Sequence, residues 1–272
     1  MIRHHALSPE GRRKLRSLVT QPILYGFDFD GTLAALSPDR GGVRLSHSVH
    51  EWLTELRKRA PCAVISGRSL SDLSPRINGA VRHVVGNHGL ESPLTTPADL
   101  RLAEDACVAW KRALTGDAGP ALAHHGVELE DKRYTLTLHY RGATKPTEVR
   151  LALTVLLNSL TPRPRLTFGH ACVNALPAAH GGKGAAAFTL MRRLGLTGLF
   201  YIGDDGADEE VFALPRGVIM GIRVGHVAES QAEFYVDHQG EVEDVIRFLV
   251  HRMDRTPEAA DIEQSKRAQQ TG

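Results

Sequence analysis

The sequence predicts a doubly wound α/β core with a parallel sheet, interrupted by an inserted α+β cap domain. Short apolar runs of strand character, such as Ile23–Phe27 and residues 199–202, each end in a group of polar residues. Helical patterns separate these runs, as is typical of parallel sheets. Between residues 93 and 176 the order changes to helix, two strands, helix and two strands. We therefore expect a core of residues 1–92 and 177–272, a cap at 93–176 and a loose tail from about residue 255.

The composition is that of a globular protein able to bury a sizeable core. The 272 residues include 33 basic and 31 acidic ones, giving a net charge of +2, and 42% are hydrophobic. No basic stripe interleaved with aromatic residues is present, so we expect no nucleic-acid partner. No apolar run reaches membrane-spanning length and the N-terminus lacks the apolar core of a signal peptide, so no membrane association is expected.

The cysteines indicate a reducing environment. Cys62, Cys107 and Cys172 are odd in number and lie in separate apolar segments. This pattern is typical of buried thiols and predicts a cytoplasmic protein. The oligomeric state stays open, with a monomer favoured.

The first chemical motif follows the first long apolar run. Asp28 and Asp30 stand one residue apart, before Gly31, which permits a tight turn, and the hydroxyl of Thr32. Strand alternation would point both aspartates the same way. Two carboxylates about 4 Å apart repel by about 4 kcal/mol at an effective dielectric constant near 20, so they need a proton or a cation. Mg²⁺ suits this role because it takes oxygen ligands and accompanies phosphate substrates. A lone Asp-x-Asp, in contrast, more often caps the next turn.

The complete string Asp28-Phe29-Asp30-Gly31-Thr32-Leu33 resembles the nucleophile motif of the haloacid dehalogenase (HAD) superfamily of phosphohydrolases. The resemblance implies a HAD-like core with a C2-type cap. It also implies that Asp28 attacks phosphorus, that Asp30 serves as general acid and base, and that Thr32 holds a phosphoryl oxygen.

Two helices flank this strand and carry no evident chemistry. A short basic helix over residues 8–19 begins at Ser8 and Pro9. A second helix begins at Ser46 and has an apolar stripe that indicates core packing, formed by Val49, Trp52, Leu53 and Leu56.

The strand at residues 62–65 leads into Ser66-Gly67-Arg68. Taken alone, Ser66 would more often cap the helix that begins near Ser69, a helix that Pro75 is expected to interrupt. Beside the Asp28 motif, the string resembles the second HAD motif, which implies that Ser66 and Gly67 bind the phosphoryl group.

A third strand, His83–Val85, runs into Asn87-His88-Gly89-Leu90-Glu91. These polar groups suit a loop at the same sheet edge, where His88 could be an ordinary loop histidine. The string from Gly86 to Glu91 closely resembles the trehalose-6-phosphate phosphatase branch of the superfamily. It implies substrate-binding positions for Asn87, His88 and Glu91.

The cap is expected to choose the substrate while the core performs the chemistry. Its strings Glu130-Asp131-Lys132 and His139-Tyr140-Arg141 resemble cap strings of trehalose phosphatases, which implies sugar-binding roles for Glu130, Lys132, His139 and Arg141. On periodicity alone these residues would form an exposed strand face. Asn174 stands where that family usually has a sugar-binding Glu, so it is a further predicted substrate residue and leaves the identity of the sugar open.

The core resumes at Gly181-Gly182-Lys183-Gly184, before an alanine-rich helix. The string is not a nucleotide-binding loop, because Gly184 replaces the required Ser or Thr and no glycine stands five residues before Gly182. A surface lysine is the ordinary alternative. The string resembles the third HAD motif, which implies that Lys183 neutralises the phosphate and the nucleophile.

The strand at residues 199–202 leads into Gly203-Asp204-Asp205-Gly206-Ala207-Asp208-Glu209. So many acids after a buried strand require a cation. The string resembles the fourth motif in the form found in trehalose phosphatases, with Ala207 in place of the usual Thr. The resemblance implies that Asp204 binds Mg²⁺ together with Asp28 and the Asp30 carbonyl, and that Asp205 and Asp208 orient Lys183 and the waters of the metal.

Together the motifs predict a Mg²⁺-dependent phosphatase that hydrolyses trehalose 6-phosphate through an aspartyl phosphate. The same chemistry on a related disaccharide or pseudo-disaccharide phosphate, of the validoxylamine or glycosylglycerate type, is an alternative. A catalytically silent sugar-phosphate sensor is a third reading, disfavoured because a sensor needs neither a nucleophile nor a general acid.

Overall fold

The computed structural model describes residues 4–255 except residues 38, 117 and 180. The predicted tail falls almost entirely on residues 256–272, which lie outside the described residues. The helices are α1 (Pro9–Leu18), α2 (His47–Arg59), α3 (Leu70–Ile77), α4 (Pro97–Thr115), α5 (Gly119–His124), α6 (Pro146–Asn158), α7 (Gly182–Arg193), α8 (Glu209–Phe212) and α9 (Gly240–Met253). The strands are β1 (His4–His5), β2 (Ile23–Phe27), β3 (Cys62–Ile65), β4 (His83–Val85), β5 (Glu128–Asp131), β6 (Leu136–His139), β7 (Arg165–Gly169), β8 (Cys172–Leu176), β9 (Gly198–Gly203), β10 (Ile219–Val224) and β11 (Phe234–Val236).

The core is a parallel seven-stranded sheet in the order β1-β11-β10-β9-β2-β3-β4. Helices cover both faces: α1, α2, α3 and α9 contribute to one apolar cluster, and α7 and α8 to another. The central strands β2 and β9 are buried along their whole length, which explains why they are continuously apolar. The predicted doubly wound α/β core is therefore confirmed.

A second, antiparallel sheet in the order β5-β6-β8-β7 lies between β4 and α7 in the chain, and we call this sheet with α4, α5 and α6 the cap. Leu136 and Leu138 of β6 pack with Trp110 of α4 and Leu157 of α6. The inserted α+β block is confirmed, whereas its predicted boundaries at residues 93 and 176 stay a prediction.

Three local features differ from the sequence pattern. Thr137, on the β6 face that alternation made polar, is 1% exposed rather than solvent-facing, because it lines a cleft and donates to Asn174 of β8. The short helix α5 occupies a segment whose Gly and Pro content had indicated a loop. Helix α3 continues through Pro75 to Ile77, because the proline removes only one backbone hydrogen bond; the helix then ends at Asn78, whose φ is +44°.

None of the described helices combines the length and the apolar character needed to cross a membrane. Cys62, Cys107 and Cys172 are all free thiols.

Candidate active site

The strand ends bring the predicted core residues to one edge of the parallel sheet. Because Phe27 lies opposite both Ile202 and Val64, the residues after β2, β9 and β3 leave the sheet side by side. They face the cap across a cleft that encloses about 850 Å³, counting the space at its open mouth. The predicted site residues that line this cleft are Asp28, Asp30, Ser66, Gly67, His88, Glu130, Lys132, His139, Arg141, Asn174, Lys183, Asp204 and Asp205.

Asp28 and Lys183 form a buried ion pair in this cleft. Asp28 Oδ1 lies 2.9 Å from Lys183 Nζ, and neither residue is more than 4% exposed. Lys183 Nζ also lies 2.9 Å from Asp208 Oδ1. Burial opposes the charged ammonium, but Asp208 and Asp28 outweigh it and hold the pKa of Lys183 well above its usual value. Lys183 is therefore a permanent cation beside Asp28.

Asp208 has no exposed surface and is fully engaged by donors. Its Oδ1 accepts hydrogen bonds from Lys183 Nζ (2.9 Å) and Tyr201 Oη (2.8 Å). Its Oδ2 accepts from the backbone N–H groups of Asp204 and Asp205, both at 3.0 Å. Burial alone would raise the pKa of Asp208, but Lys183 and these hydrogen bonds lower it. Four donors occupy the four lone-pair positions of the carboxylate, so Asp208 orients Lys183 and has no position left for a metal.

The other acids around Lys183, namely Asp28, Asp204 and Asp205, are compensated less completely. Burial, with the charge of Asp208, raises the pKa of Asp204 to about 8. Burial also raises the pKa of Asp205 to about 6 and that of Asp28 well above its usual value. Of the residues that the structure describes, Lys183 thus supplies the one positive charge among four carboxyl groups, those of Asp28, Asp204, Asp205 and Asp208. An additional cation would offset the remaining negative charge.

A hard divalent cation fits this donor set. Oxygen atoms of Asp28, Asp205 and Asp208 lie within 4.8 Å of one another. Since Asp208 is already saturated, Asp28 and Asp205 are the members of this group available to an ion that prefers oxygen ligands, and Asp204 lines the same cleft outside the group. The predicted ligand roles of Asp28, Asp204 and the Asp30 carbonyl stay predictions.

Another group with ligand atoms in the described part of the chain lies at the β1 edge of the sheet, formed by His5, Asp237 and Glu241. There His5 Nδ1 accepts the Leu7 N–H at 3.2 Å, so the ring proton sits on Nε2 and faces Glu241 Oε2 at 3.1 Å. These groups satisfy one another without a metal.

Close packing around the Asp204 carboxylate requires Gly31. Gly31 has a φ of +78°, and a Cβ there would clash with the Asp204 carboxylate. Thr32 Oγ1 donates to Asp204 Oδ1 at 3.1 Å. The predicted phosphate contact of Thr32 therefore requires its hydroxyl to leave Asp204.

Asp30 is held by an arginine to which the sequence assigned no role. Arg68 Nε and Nη2 donate to the two carboxylate oxygens of Asp30 at 2.7 and 2.6 Å. Arg68 is itself fixed by Asp72 at 2.7 Å and lies over the Phe29 ring. Phe29 packs into the core while Asp28 and Asp30 both line the cleft, as alternation predicts.

The predicted phosphate loop lies next to these acids. Ser66 is 1% exposed, and its Oγ accepts the backbone N–H of Arg68 at 3.2 Å. A Cβ at Gly67 would meet the His88 ring at 2.6 Å, so the absence of a side chain there lets the histidine approach the loop.

Asn87 and Glu91 support the loops and do not line the cleft. Asn87 Oδ1 accepts from Thr135 Oγ1 of the cap at 2.6 Å, and its Nδ2 donates to Glu91 Oε2 at 2.7 Å. Glu91 Oε2 also accepts the Leu70 N–H at the start of α3. Their predicted substrate contacts stay predictions.

The cap contributes a compact charged group. Glu130 Oε2 lies 2.6 Å from His139 Nε2, 3.1 Å from Arg40 Nη1 and 3.8 Å from Lys132 Nζ. Burial alone would raise the pKa of Glu130, but the His139 hydrogen bond and the nearby cations lower it to about 2. Lys132 Nζ donates to the Gly67 carbonyl at 3.0 Å and so joins the cap to the phosphate loop.

The last two predicted cap residues differ in exposure. Arg141 is exposed and donates to the Ser37 carbonyl at 3.1 Å. Asn174 is 3% exposed; its Oδ1 accepts from Thr137 Oγ1 at 2.7 Å and its Nδ2 donates to Thr167 Oγ1 at 3.3 Å. Asn174 is thus tied into the cap sheet by both ends of its amide.

The family of the chain follows from comparison with known proteins. The trehalose-phosphatase family model matches residues 26–239, which include every predicted site residue. The chain belongs to the trehalose-phosphatase family. The resemblance seen in the Asp28, Asn87 and Asp204 motifs is confirmed.

Trehalose-phosphate phosphatases of Mycobacterium bovis and Mycobacterium tuberculosis are each 32% identical to this family member over 217 residues. These matches cover 75% of the chain and 54% of each relative, so the chain spans about half their length. The solved C-terminal domain of Candida albicans trehalose-6-phosphate phosphatase matches with a TM-score of 0.68 at 17% identity, covering 92% of this chain and 98% of that one. This structural likeness confirms the HAD-like fold with its cap.

Sequence reasoning missed two arginines that this trehalose-phosphatase family member places in the cleft. Arg68 directly follows Ser66 and Gly67, so its position after a strand was a usable signal. Arg40 lies in a loop without regular pattern, and only folding brings it to Glu130.

Proposed function

We propose that this protein is a Mg²⁺-dependent phosphatase that hydrolyses trehalose 6-phosphate to trehalose and phosphate. The observation that carries the proposal is the buried Asp28–Lys183 pair, with Asp30 and a cation-deficient acidic group in the same cleft. The names of the mycobacterial relatives support the substrate.

In this proposal Asp28 attacks phosphorus, forming a bond from its carboxylate oxygen while the bond from phosphorus to the sugar oxygen breaks. Asp30, protonated and with at least one of its oxygens released by Arg68, gives its proton to the departing sugar oxygen. A water then attacks the aspartyl phosphate and transfers a proton to Asp30, which releases phosphate and restores Asp28. Lys183 stays charged throughout and offsets the negative charge beside Asp28.

Mg²⁺, held by Asp28, Asp204 and the Asp30 carbonyl, would add positive charge beside the transferring phosphoryl group. Thr32, Ser66 and Gly67 would hold the phosphoryl oxygens. Asp205 Oδ1 accepts hydrogen bonds from the backbone N–H groups of Ala207 and Asp208, which stabilise the tight turn after β9.

The cap would bind the sugars. Glu130, Lys132, His139 and Arg141 offer both acceptors and donors, as sugar hydroxyls require. His88 lines the cleft beside Gly67, next to the proposed phosphate position.

A related disaccharide or pseudo-disaccharide phosphate is the second candidate substrate, and Asn174 favours it. Both ends of its amide are engaged by cap threonines, so it presents a different pattern to a sugar than a free carboxylate would.

The test is phosphate release with and without Mg²⁺, after treatment with EDTA, from a panel compared by kcat/KM. The panel contains trehalose 6-phosphate, glucose 6-phosphate, phosphates of glucosylglycerate and mannosylglycerate, and a pseudo-disaccharide phosphate. We expect turnover to require Mg²⁺ and trehalose 6-phosphate to be preferred by about a hundredfold, roughly 2.7 kcal/mol in the transition state.

The other outcomes separate the alternatives. A different preferred phosphate would keep the chemistry and change the substrate. Binding without turnover of any panel member would support a sugar-phosphate sensor and contradict the proposed activity.

The free thiols support a reducing, cytoplasmic location. A cytoplasmic fraction that lacks the protein would contradict this part of the proposal.

A further inference from the structure

Arg40 extends from the core to the cap. It lies between β2 and α2, yet its Nη1 donates to Glu130 Oε2 at 3.1 Å and its Nη2 to Glu128 Oε2 at 3.3 Å. Its Nη1 also contacts His139 Nε2. A single core side chain thus contacts two cap strands at the carboxylate that we assign to sugar binding.

The backbone of the same residue contacts the group around Asp30. The carbonyl of Arg40 accepts a hydrogen bond from Arg68 Nη1 at 3.2 Å. The remaining nitrogens of Arg68, Nε and Nη2, hold both oxygens of Asp30. A continuous chain of contacts therefore runs from Glu130 in the cap through Arg40 and Arg68 to Asp30.

We propose that Arg40 is a positioning residue that sets the sugar-binding carboxylate Glu130 and the Arg68–Asp30 pair in one arrangement. The inference rests on the proposed function, since it assigns Glu130 to the sugar and Asp30 to the leaving oxygen. With Arg40 in place, Glu130 and Asp30 are already ordered when a sugar phosphate binds. Less free energy is therefore spent on ordering them in the transition state.

Removal of the Arg40 side chain breaks the contact between its loop and Glu130 and leaves the other contacts of Glu130 and Arg68 in place. Glu130 keeps His139 at 2.6 Å, and Arg68 keeps Asp72 at 2.7 Å. Because Arg40 is 40% exposed and lies in a loop, the fold does not depend on it. The loss should therefore appear in the reaction of the sugar phosphate.

Two substrates separate positioning from general damage. Trehalose 6-phosphate needs the cap for binding and Asp30 to protonate a poor leaving group. p-Nitrophenyl phosphate carries no sugar, and its phenolate leaves with little need of a proton.

The experiment compares kcat and KM of the wild type, Arg40→Ala, Arg40→Lys and the control Arg44→Ala on both substrates with Mg²⁺. We expect Arg40→Ala to lower kcat/KM for trehalose 6-phosphate by about tenfold or more, partly in kcat, the size typical of losing a half-buried charge contact. Its kcat/KM for p-nitrophenyl phosphate, which reports only the steps up to the departure of the phenolate, should stay within about twofold of the wild type.

The remaining variants sharpen the comparison. Arg40→Lys should recover part of the lost kcat/KM, because an ammonium can bind Glu130 but cannot bind Glu128 at the same time, as the two guanidinium nitrogens of arginine do. Arg44, on the same loop, donates to the Gly41 and Val43 carbonyls, so Arg44→Ala should leave both substrates unaffected.

A double-mutant cycle tests the route through Glu130. If Arg40 acts on the sugar through Glu130, Arg40→Ala should cost little more once Glu130→Gln is present. Fully multiplicative effects would overturn the inference, as would an Arg40→Ala variant within twofold of the wild type on trehalose 6-phosphate.

Equal losses on both substrates would also overturn it, because they indicate damage to the core chemistry. A wild-type protein that hydrolyses neither substrate would instead overturn the proposed function, and the inference with it.

Discussion

Replacing Asp208 by asparagine should strongly destabilise the protein, although the two side chains have nearly the same size. The carboxylate accepts four hydrogen bonds, two at each oxygen, and is wholly buried. Asparagine offers only one oxygen, so its NH₂ group must face two donors. Either Lys183 and Tyr201 or the two backbone N–H groups lose their acceptor.

The magnitude follows from these contacts. Two hydrogen bonds to a charged group are lost, each contributing about 1.5–3 kcal/mol. Relief of repulsion from the neighbouring acids offsets part of this loss, but the lowered pKa of Asp208 shows that attraction to the ionised form prevails. We therefore expect the free energy of unfolding to fall by about 3 kcal/mol, which corresponds to a Tm lower by roughly 6–12 °C.

Thermal and urea unfolding at pH 7 in EDTA would measure this loss without a contribution from metal binding. Asp205→Asn is the matched control, because Asp205 uses only Oδ1, toward the N–H groups of Ala207 and Asp208, and an amide oxygen can replace it. That variant should lie within about 1 kcal/mol of the wild type. The reasoning is refuted if Asp208→Asn costs less than about 1 kcal/mol or if the two variants cost the same.

Three further predictions follow from the site. Asp28→Asn should lower turnover by at least roughly a thousandfold without lowering Tm, and an activity within tenfold of the wild type would contradict a nucleophilic role. Gly31→Ala should abolish activity and lower Tm, because its Cβ would clash with the Asp204 carboxylate. Gly79 has a similar φ of +74° but open space around it, so Gly79→Ala should lower the free energy of unfolding by only about 1 kcal/mol. Similar Tm values for both variants would disprove this distinction. Glu130 has a pKa of about 2 in the folded protein and 4.5 as its reference, so the stability advantage of wild type over Glu130→Gln should be full above about pH 5 and shrink as the pH falls toward 2. Unfolding measured across this range would show the wrong sign if the advantage grew on acidification.

The arrangement of charges explains why the cap and the core must be considered together. The core carries an excess of carboxyl groups around Lys183, while Arg40 and Lys132 meet Glu130 at the cap side of the cleft. Lys132 also contacts the Gly67 carbonyl, so the cap touches the proposed phosphate loop directly. Substrate selection and phosphoryl chemistry are therefore expected to share one set of contacts.

The sequence by itself determined the doubly wound core, the inserted cap and the positions of Asp28, Ser66, Lys183 and Asp204. These features follow from short-range patterns: a buried strand is a continuous apolar run, and its carboxyl end carries the polar groups. Parallel strands then bring separate motifs to one edge whatever the loops between them do. The segments missed, β1, α5 and α8, are only two, six and four residues long, too short for periodicity to identify.

Only the tertiary structure decided which groups pair across the cleft. Arg40 and Glu130 are 90 residues apart in the chain, and Arg68 and Asp30 are 38 apart, so no local pattern links them. The same holds for the saturation of Asp208 by four donors, which separates a positioning acid from potential metal ligands that look identical in sequence. The physical reason is that propensity and periodicity act over a few residues, whereas hydrogen-bond satisfaction, burial and charge balance are set by segments that meet only after folding.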